Sequence, residues 1–391
     1  MRILLLTHNP IGMGVEYVRA YHLGRHLAKN GHQVMLLARG RKTSDQAGAQ
    51  ESQGFELVGV NDPSPDSLAR TGFSPLGVYR RLQRLRKEQF EVVHTFAHRP
   101  VVGSVARALR RRDRVTHVAD WSDLWGFGGL ADERAPFGRA LVGVLDNLLE
   151  RANVRGADGL TAVSSFLRDR AASWGIPRER ILRLGVGAPV DMIRPLPKGE
   201  ARATFNIDPT VPVVFHSGMS AYGHEYVAEV IREICRGNSR VLVLILGASN
   251  ASLQAFRFGN DLEGRVLLRP YVPANDLGRA LGCADIILVP LQPRGFNLAR
   301  FPNRVGEAMA AGRPVVTNAA GDVAELVRQE GIGVVADADP AAMARAVQDL
   351  LGDPDRMSLM GRNARQVAER KFDWAILARR VESFYEGILR H

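Results

Sequence analysis

The sequence predicts two doubly wound α/β domains in series. Three observations carry that prediction. Apolar runs of strand length alternate with helix-period segments from end to end. The runs are continuously apolar, the mark of strands buried on both faces in parallel sheets covered by helices. The alternation also stops at one proline- and glycine-rich stretch, 187–201, and then restarts, which reads as a linker. A chain of 391 residues suits two such cores better than one. Any ligand crevice is then expected at the carboxyl ends of the strands.

The first-half strand candidates are RILLLT (2–7), QVMLLA (33–38), FELVGV (55–60), EVVHTF (91–96), RVTHVA (114–119), GLTAVS (159–164) and RILRLG (180–185). Amphipathic segments, among them 15–29, 76–88 and 139–152, lie between them and are expected to cover the sheet with their apolar faces. Past the linker come VPVVFHSG (211–218), RVLVLILG (240–247), RVLLRP (265–270), DIILVP (285–290), RPVVTN (313–318) and IGVVAD (332–337). The closing segment 364–391 is strongly helical with an interruption near Phe372–Asp373, and Asp373 is a candidate cap for the last helix. The expected domains are 1–187, 188–371, and a terminal helix over 372–391.

Composition narrows the class. Hydrophobic residues make up 46% and charged residues 24%, as in globular proteins. No apolar run approaches the roughly 20 residues of a membrane-spanning helix, and MRILLLTHNP reads as a first strand, not a signal peptide. Two cysteines without metal-ligand spacing, Cys235 and Cys283, fit a reducing cytoplasm. The net charge of +11 is concentrated in RRLQRLRKE (80–88) and RALRRRDR (107–114). Such a surface attracts polyanions. Peripheral attachment to an anionic inner membrane face is one expectation, and a solvated arginine-rich surface is the plainer one. No recognition motif supports nucleic acid as a partner.

Gly12 and Gly14 follow the first strand, where missing side chains let a ligand approach the backbone and a helix N-terminus. The G-x-G-x-x-G dinucleotide fingerprint is absent. Two D-x-D triplets, 337–339 and 353–355, sit beside prolines and read as helix caps and turns. No metal is assigned.

Three stretches carry a family resemblance: MRILLLTHNP…HLGRHLAKNGHQVMLLAR, ADGLTAVSSFLRDRAASWGIPRERILRLGVGAPVDMIRP, and LGCADIILVPLQPRGFNLARFPNRVGEAMAAGRPVVTNAAGDVAELV. Together they resemble the retaining glycosyltransferases of family 4, which have the GT-B fold of two Rossmann-like domains facing an interdomain cleft. The resemblance implies a metal-independent enzyme without a cofactor. It would take a UDP- or GDP-type sugar on the C-terminal domain and transfer it to a carbohydrate or lipid-linked acceptor on the N-terminal one. It places Glu307 on the donor's ribose hydroxyls, where two carboxylate oxygens can engage a vicinal diol. Phe301, Pro302, Asn303 and Arg304 form an F-P-N-K/R loop that would shape the diphosphate pocket, with Gly218 beside it.

The sequence departs from the family pattern in two places. The glutamate usually found eight positions before Glu307 is Ala299 here. The usual arginine and lysine after the first C-domain strand are also lost, with Met219 in the arginine's place and Tyr222 or His224 nearest the lysine's. A departing diphosphate still needs positive charge, and Arg304, then Arg300, are the candidates. On the N-domain, the VVH position (His94) and Asp120 are the expected catalytic-side residues. His98 reads as a structural hydrogen bonder, and Trp121 and Trp125 read as packing. With an incomplete motif, two alternatives stay open: a non-catalytic nucleotide-sugar or partner-binding relative, and a sugar-nucleotide epimerase on the same fold.

Overall fold

The computed structural model describes residues 1–40, 49–218, 223–247, 262, 264–270, 272 and 274–390. The chain divides into two compact units. Unit 1 comprises Met1–Gly185, Ala299–Phe301 and Trp374–His391; unit 2 comprises Val186–Leu298 and Pro302–Asp373.

Unit 1 is built on eight strands: β1 (Arg2–Pro10), β2 (Gln33–Arg39), β3 (Ala49–Ser52), β4 (Phe55–Val60), β5 (Val92–Phe96), β6 (Thr116–Trp121), β7 (Gly159–Ala162) and β8 (Ile181–Arg183). Their order is β3-β4-β2-β1-β5-β6-β7-β8. Every pairing is parallel except β3 with β4. Seven of these strands are those read from the apolar runs. The eighth, β3, has the sequence AQES and carries no apolar signal. The order reverses between β1 and β5, so this sheet's switch point lies where β1 runs into Gly12 and Gly14 and β5 into His98.

Helix α1 (Val15–Lys29) matches the sequence expectation. Gly14 has φ of 92° and heads α1, and a Cβ there would lie 2.5 Å from the Asn9 side chain. Asn9 Oδ1 instead accepts from the Tyr17 amide at 3.1 Å, which satisfies one of the helix's open donors. The terminal helix, labelled α4 (Trp374–Leu389), starts just after Asp373 and belongs to unit 1. Its Trp374, Leu377, Val381 and Tyr385 are buried with Ile3, Leu5, Leu23 and Leu27 in one core.

One helix departs from expectation. The helical stretch made of Pro136–Gly138, a π-turn Arg139–Gly143 and α2 (Val144–Gly156) turns its polar residues inward. Asp146, Glu150 and Asn153 are buried, while Phe137, Leu141, Leu145 and Leu148 are exposed. Each inward side chain is engaged through its oxygens, while Asn153 Nδ2 has no partner among the described residues. Asp146 pairs with Arg99 and Arg134, Asn153 with Arg107, and Glu150 accepts from Trp121 Nε1 and the amides of Trp125 and Gly126.

Unit 2 carries a six-stranded, all-parallel sheet: β9 (Val213–Ser217), β10 (Leu242–Leu246), β11 (Val266–Arg269), β12 (Ile286–Val289), β13 (Val315–Asn318) and β14 (Gly333–Ala336). The order β11-β10-β9-β12-β13-β14 is the doubly wound arrangement with its switch point between β9 and β12. All six strands coincide with the apolar runs. Asp339 and Asp353 cap the helices they precede, accepting from Ala342 N at 2.8 Å and Arg356 N at 3.0 Å, so both D-x-D triplets are helix starts.

Candidate active site

At the switch point of unit 2, β9 ends in His216 and Ser217, and Gly218 follows. Helix α3 (Asn303–Ala310) begins beside it. Gly306 lets α3 approach closely, since a Cβ there would lie 2.3 Å from Gly187 O. The helix starts after Pro302 with no side-chain cap, leaving first-turn N–H groups open to an anion. Gly218, with φ of 69°, donates its amide to Leu246 O. A Cβ on it would lie 3.5 Å from Arg304 Nη2. The guanidinium therefore lies against the bare backbone at the end of β9.

His216 fixes that guanidinium. Its Nδ1 is 3.0 Å from Leu288 O and must donate to it, because a carbonyl only accepts. Arg304 Nη1 lies 3.1 Å from Nδ1 and 3.2 Å from Nε2, and with Nδ1 donating to the carbonyl, Nε2 is the ring nitrogen that can accept from it. Glu307 lies one turn along α3 and is partly buried. Burial pushes its carboxyl up to about 7, and the Arg304 charge holds it back only in part. Among the described residues no hydrogen bond reaches that carboxylate. A half-ionised carboxyl with free acceptors beside a clamped guanidinium and an open helix start is equipped to receive hydroxyls and a polyanion.

The expected loop residues divide between the two units. Asn303, Arg304 and Glu307 belong to unit 2 with Pro302, whereas Arg300 and Phe301 group with unit 1. Ala299 O there accepts from Ser164 Oγ at 2.5 Å, Phe301 is buried, and Arg300 has Asp123 as its opposing charge. Gly12 and Gly14 also lie in unit 1, at the β1 end. Met219 and Tyr222 lie outside the described residues. His224 opens the following helix and pairs with Glu225 at 3.1 Å.

In unit 1, Asp120 and His94 are fully buried. Arg19 grips both oxygens of Asp120, Nε to Oδ2 at 3.0 Å and Nη2 to Oδ1 at 2.7 Å. Thr161 donates to Oδ1 at 2.7 Å. His94 Nε2 lies 3.0 Å from Thr161 Oγ1 and Nδ1 lies 2.6 Å from the Tyr385 hydroxyl. Since Thr161 gives its proton to Asp120, Nε2 of His94 donates and Nδ1 accepts. Burial lowers His94 to about 3, keeping it neutral. Both residues sequence reading placed on the catalytic side are thus held in internal bonds, with no surface toward solvent.

The neighbouring histidine differs. His98, four residues past His94, is buried edge-on to Trp121 and has no partner for Nδ1 or Nε2 among the described residues. Desolvation lowers it to about 3, so it offers one N–H donor and one acceptor at the end of β5. Sequence reading took it for a structural hydrogen bonder; its lack of partners is a tertiary fact. Glu16 and Asp123 were also missed. Burial, with mutual repulsion between the two, raises Glu16 to about 7, and burial raises Asp123 to about 6. Trp121 is buried against Trp174, and Arg99 lies over the Trp125 ring at 4.1 Å, consistent with packing roles for both.

Residues 16–187 match the family model described as a glycosyl transferase 4-like domain, and 211–353 match that of glycosyl transferases group 1. A GDP-mannose-dependent alpha-(1-6)-phosphatidylinositol monomannoside mannosyltransferase of Mycobacterium tuberculosis is 25% identical over 99% of this chain and 98% of its own. A D-inositol 3-phosphate glycosyltransferase of Segniliparus rotundus is 28% identical over 52% of this chain, and the chain spans about half of that relative's length, 46%. Among solved structures, a sucrose-phosphate synthase from Thermosynechococcus elongatus superposes with a TM-score of 0.83 at 20% identity, covering 100% of this chain and 99% of that one. WaaG, a glycosyltransferase of lipopolysaccharide biosynthesis, gives 0.76 at 16% identity, covering 98% and 100%. With both units matched, the chain belongs to the group 1, family 4-like glycosyltransferases and has the GT-B fold.

Proposed function

We propose that this enzyme transfers a sugar from a UDP- or GDP-type nucleoside-diphosphate donor to a carbohydrate or lipid-linked acceptor, with retention at the anomeric carbon and without a metal or cofactor. The observation that carries the reading is the unit 2 arrangement of Arg304, His216, Gly218 and Glu307. Glu307 accepts hydrogen bonds from the donor's ribose diol. The diphosphate lies on the open start of α3 and the Arg304 guanidinium.

In the transfer step the bond from the anomeric carbon to the diphosphate oxygen breaks, and a bond to the acceptor oxygen forms on the same face. The acceptor's proton passes to the departing diphosphate oxygen. Arg304 and the α3 amides stabilise the charge that develops there. His98 is the unit 1 histidine best equipped to hydrogen-bond a sugar hydroxyl, because its ring nitrogens have no partner while those of His94 do.

The direct experiment is calorimetric titration with UDP, GDP, ADP and TDP, repeated on Glu307→Ala, followed by a sugar-donor panel with anomeric analysis of products by NMR. The expected result is one preferred nucleotide, at least ten-fold weaker binding by Glu307→Ala, and a retained product. Binding with no turnover of any donor would favour the non-catalytic relative, and an epimerised sugar nucleotide formed without acceptor would favour the epimerase. Equal binding by Glu307→Ala would remove the donor assignment.

A further inference from the structure

We infer that the helical stretch 136–156 of unit 1 docks on an anionic lipid surface with its outward apolar face. The inference goes beyond the donor site and does not depend on it. Phe137, Leu141, Val144, Leu145 and Leu148 recur at spacings of three and four, so they form one stripe along a helix. Phe137 is 81% exposed, Leu141 63% and Leu148 59%. The same helix buries Asp146, Glu150 and Asn153, an inversion of the pattern of a helix lying on a protein core. Those buried groups fix the helix's rotation, because turning it over would strip Arg99, Arg107 and Trp121 of their partners.

Charge names the occupant. Within 135–156 the exposed residues include Arg139, Arg151 and Arg155 and no carboxylate, the two acids being turned inward. Arg139 reaches back to Asp132 at 3.1 Å. At its carboxyl end the helix opens onto a groove rimmed by Arg110, Arg114, Arg155 and Arg180, against Asp158 and Glu179. An apolar stripe flanked by arginines is the pattern of an interfacial helix on acidic lipid. A second copy of the chain fits less well, since self-pairing would set arginine-flanked faces together, and the flanking acids Asp132 and Asp158 are already paired with Arg139 and Arg110. The groove shares Arg110 and Arg114 with one of the arginine-rich segments singled out in the sequence, and Arg110 is paired there with Asp158, whereas the apolar stripe and Arg139, Arg151 and Arg155 lie outside both segments. Arg84 there is paired with Glu56 and Glu88, Arg112 with Asp113, and Arg81 is buried.

The test is Leu145→Cys carrying an environment-sensitive fluorophore. The native Cys235 and Cys283 are buried, so labelling is selective. Vesicles of phosphatidylcholine with about three parts in ten phosphatidylglycerol should shift the emission to the blue. Pure phosphatidylcholine should do far less, and 0.5 M salt should weaken the response. A label at Ser358→Cys in unit 2 should not respond. Leu141→Glu with Leu148→Glu, both on exposed positions, should reduce vesicle co-sedimentation roughly ten-fold or more with an unchanged melting curve. No shift at position 145 with acidic vesicles overturns the proposal. So does a vesicle-independent dimer in sedimentation that the double variant dissolves, since a second copy would then cover this face.

Discussion

The Tyr385 hydroxyl donates to Nδ1 of His94 at 2.6 Å, tying the last helix of the chain to the central strand β5. Burial pushes the Tyr385 phenol well above its usual range, so it keeps its proton and remains a donor. Tyr385→Phe leaves a buried ring nitrogen without a partner. The expected cost is about 1–3 kcal/mol, read as a lower urea midpoint at unchanged slope.

The same histidine gives a pH prediction. The folded chain binds a proton on His94 only near pH 3, whereas an unfolded histidine does so near 6.5. Its neutral form therefore supports the fold above 6.5, and that support is lost as pH falls toward 3. His94→Gln can accept from Tyr385 and donate to Thr161 but cannot take up charge. Its stability deficit relative to the parent should shrink as pH drops from 7 to 4.5, measured by urea unfolding at each pH.

Asp120→Asn tests whether this carboxylate serves structure or chemistry. The Arg19–Asp120 pair has side chains 1% and 0% exposed, and removing one charge leaves the other buried and unpaired. The expected loss is about 3–5 kcal/mol, visible as a lowered melting temperature. A variant of parental stability that has lost only turnover would return Asp120 to the catalytic side.

Arg304→Ala removes a charge-assisted contact worth about 1.5–3 kcal/mol, a drop of roughly 10–100-fold in kcat/KM. Near-parental kinetics would take Arg304 out of the diphosphate site. Because Arg304 is held by His216, His216→Ala should reproduce part of that loss while leaving the charge in place.

Glu307 links stability to function. Its folded carboxyl titrates near 7 against about 4.5 unfolded, so its contribution to stability is present below 4.5 and lost as pH rises through 7. Glu307→Gln, which mimics the protonated group, should match the parent at pH 4.5 and melt higher at pH 8. Nucleotide affinity of the parent should rise through pH 7 relative to the variant, because the ionised form accepts both ribose hydroxyls. A variant no more stable at pH 8 would mean the carboxylate is better solvated than its position implies.

Local sequence pattern was enough for the two α/β units, for thirteen of the fourteen strands among the described residues and for the aspartate caps of two helices. It also singled out the segment around Arg304 and Glu307, on which the proposed donor site rests. These are consequences of local pattern: continuous apolar runs mark doubly covered strands, and capping chemistry acts within a few residues. Which groups are already engaged was fixed by contacts between distant segments. His94 and His98 are four residues apart on one chain segment, yet the first is held by Tyr385 and Thr161, while the ring nitrogens of the second have no hydrogen-bond partner among the described residues. The helix over 136–156 is amphipathic in sequence, but its direction was set by Arg99, Arg107 and Trp121. Hydrogen-bond satisfaction and burial arise between segments distant in the chain, so no window of sequence contains them.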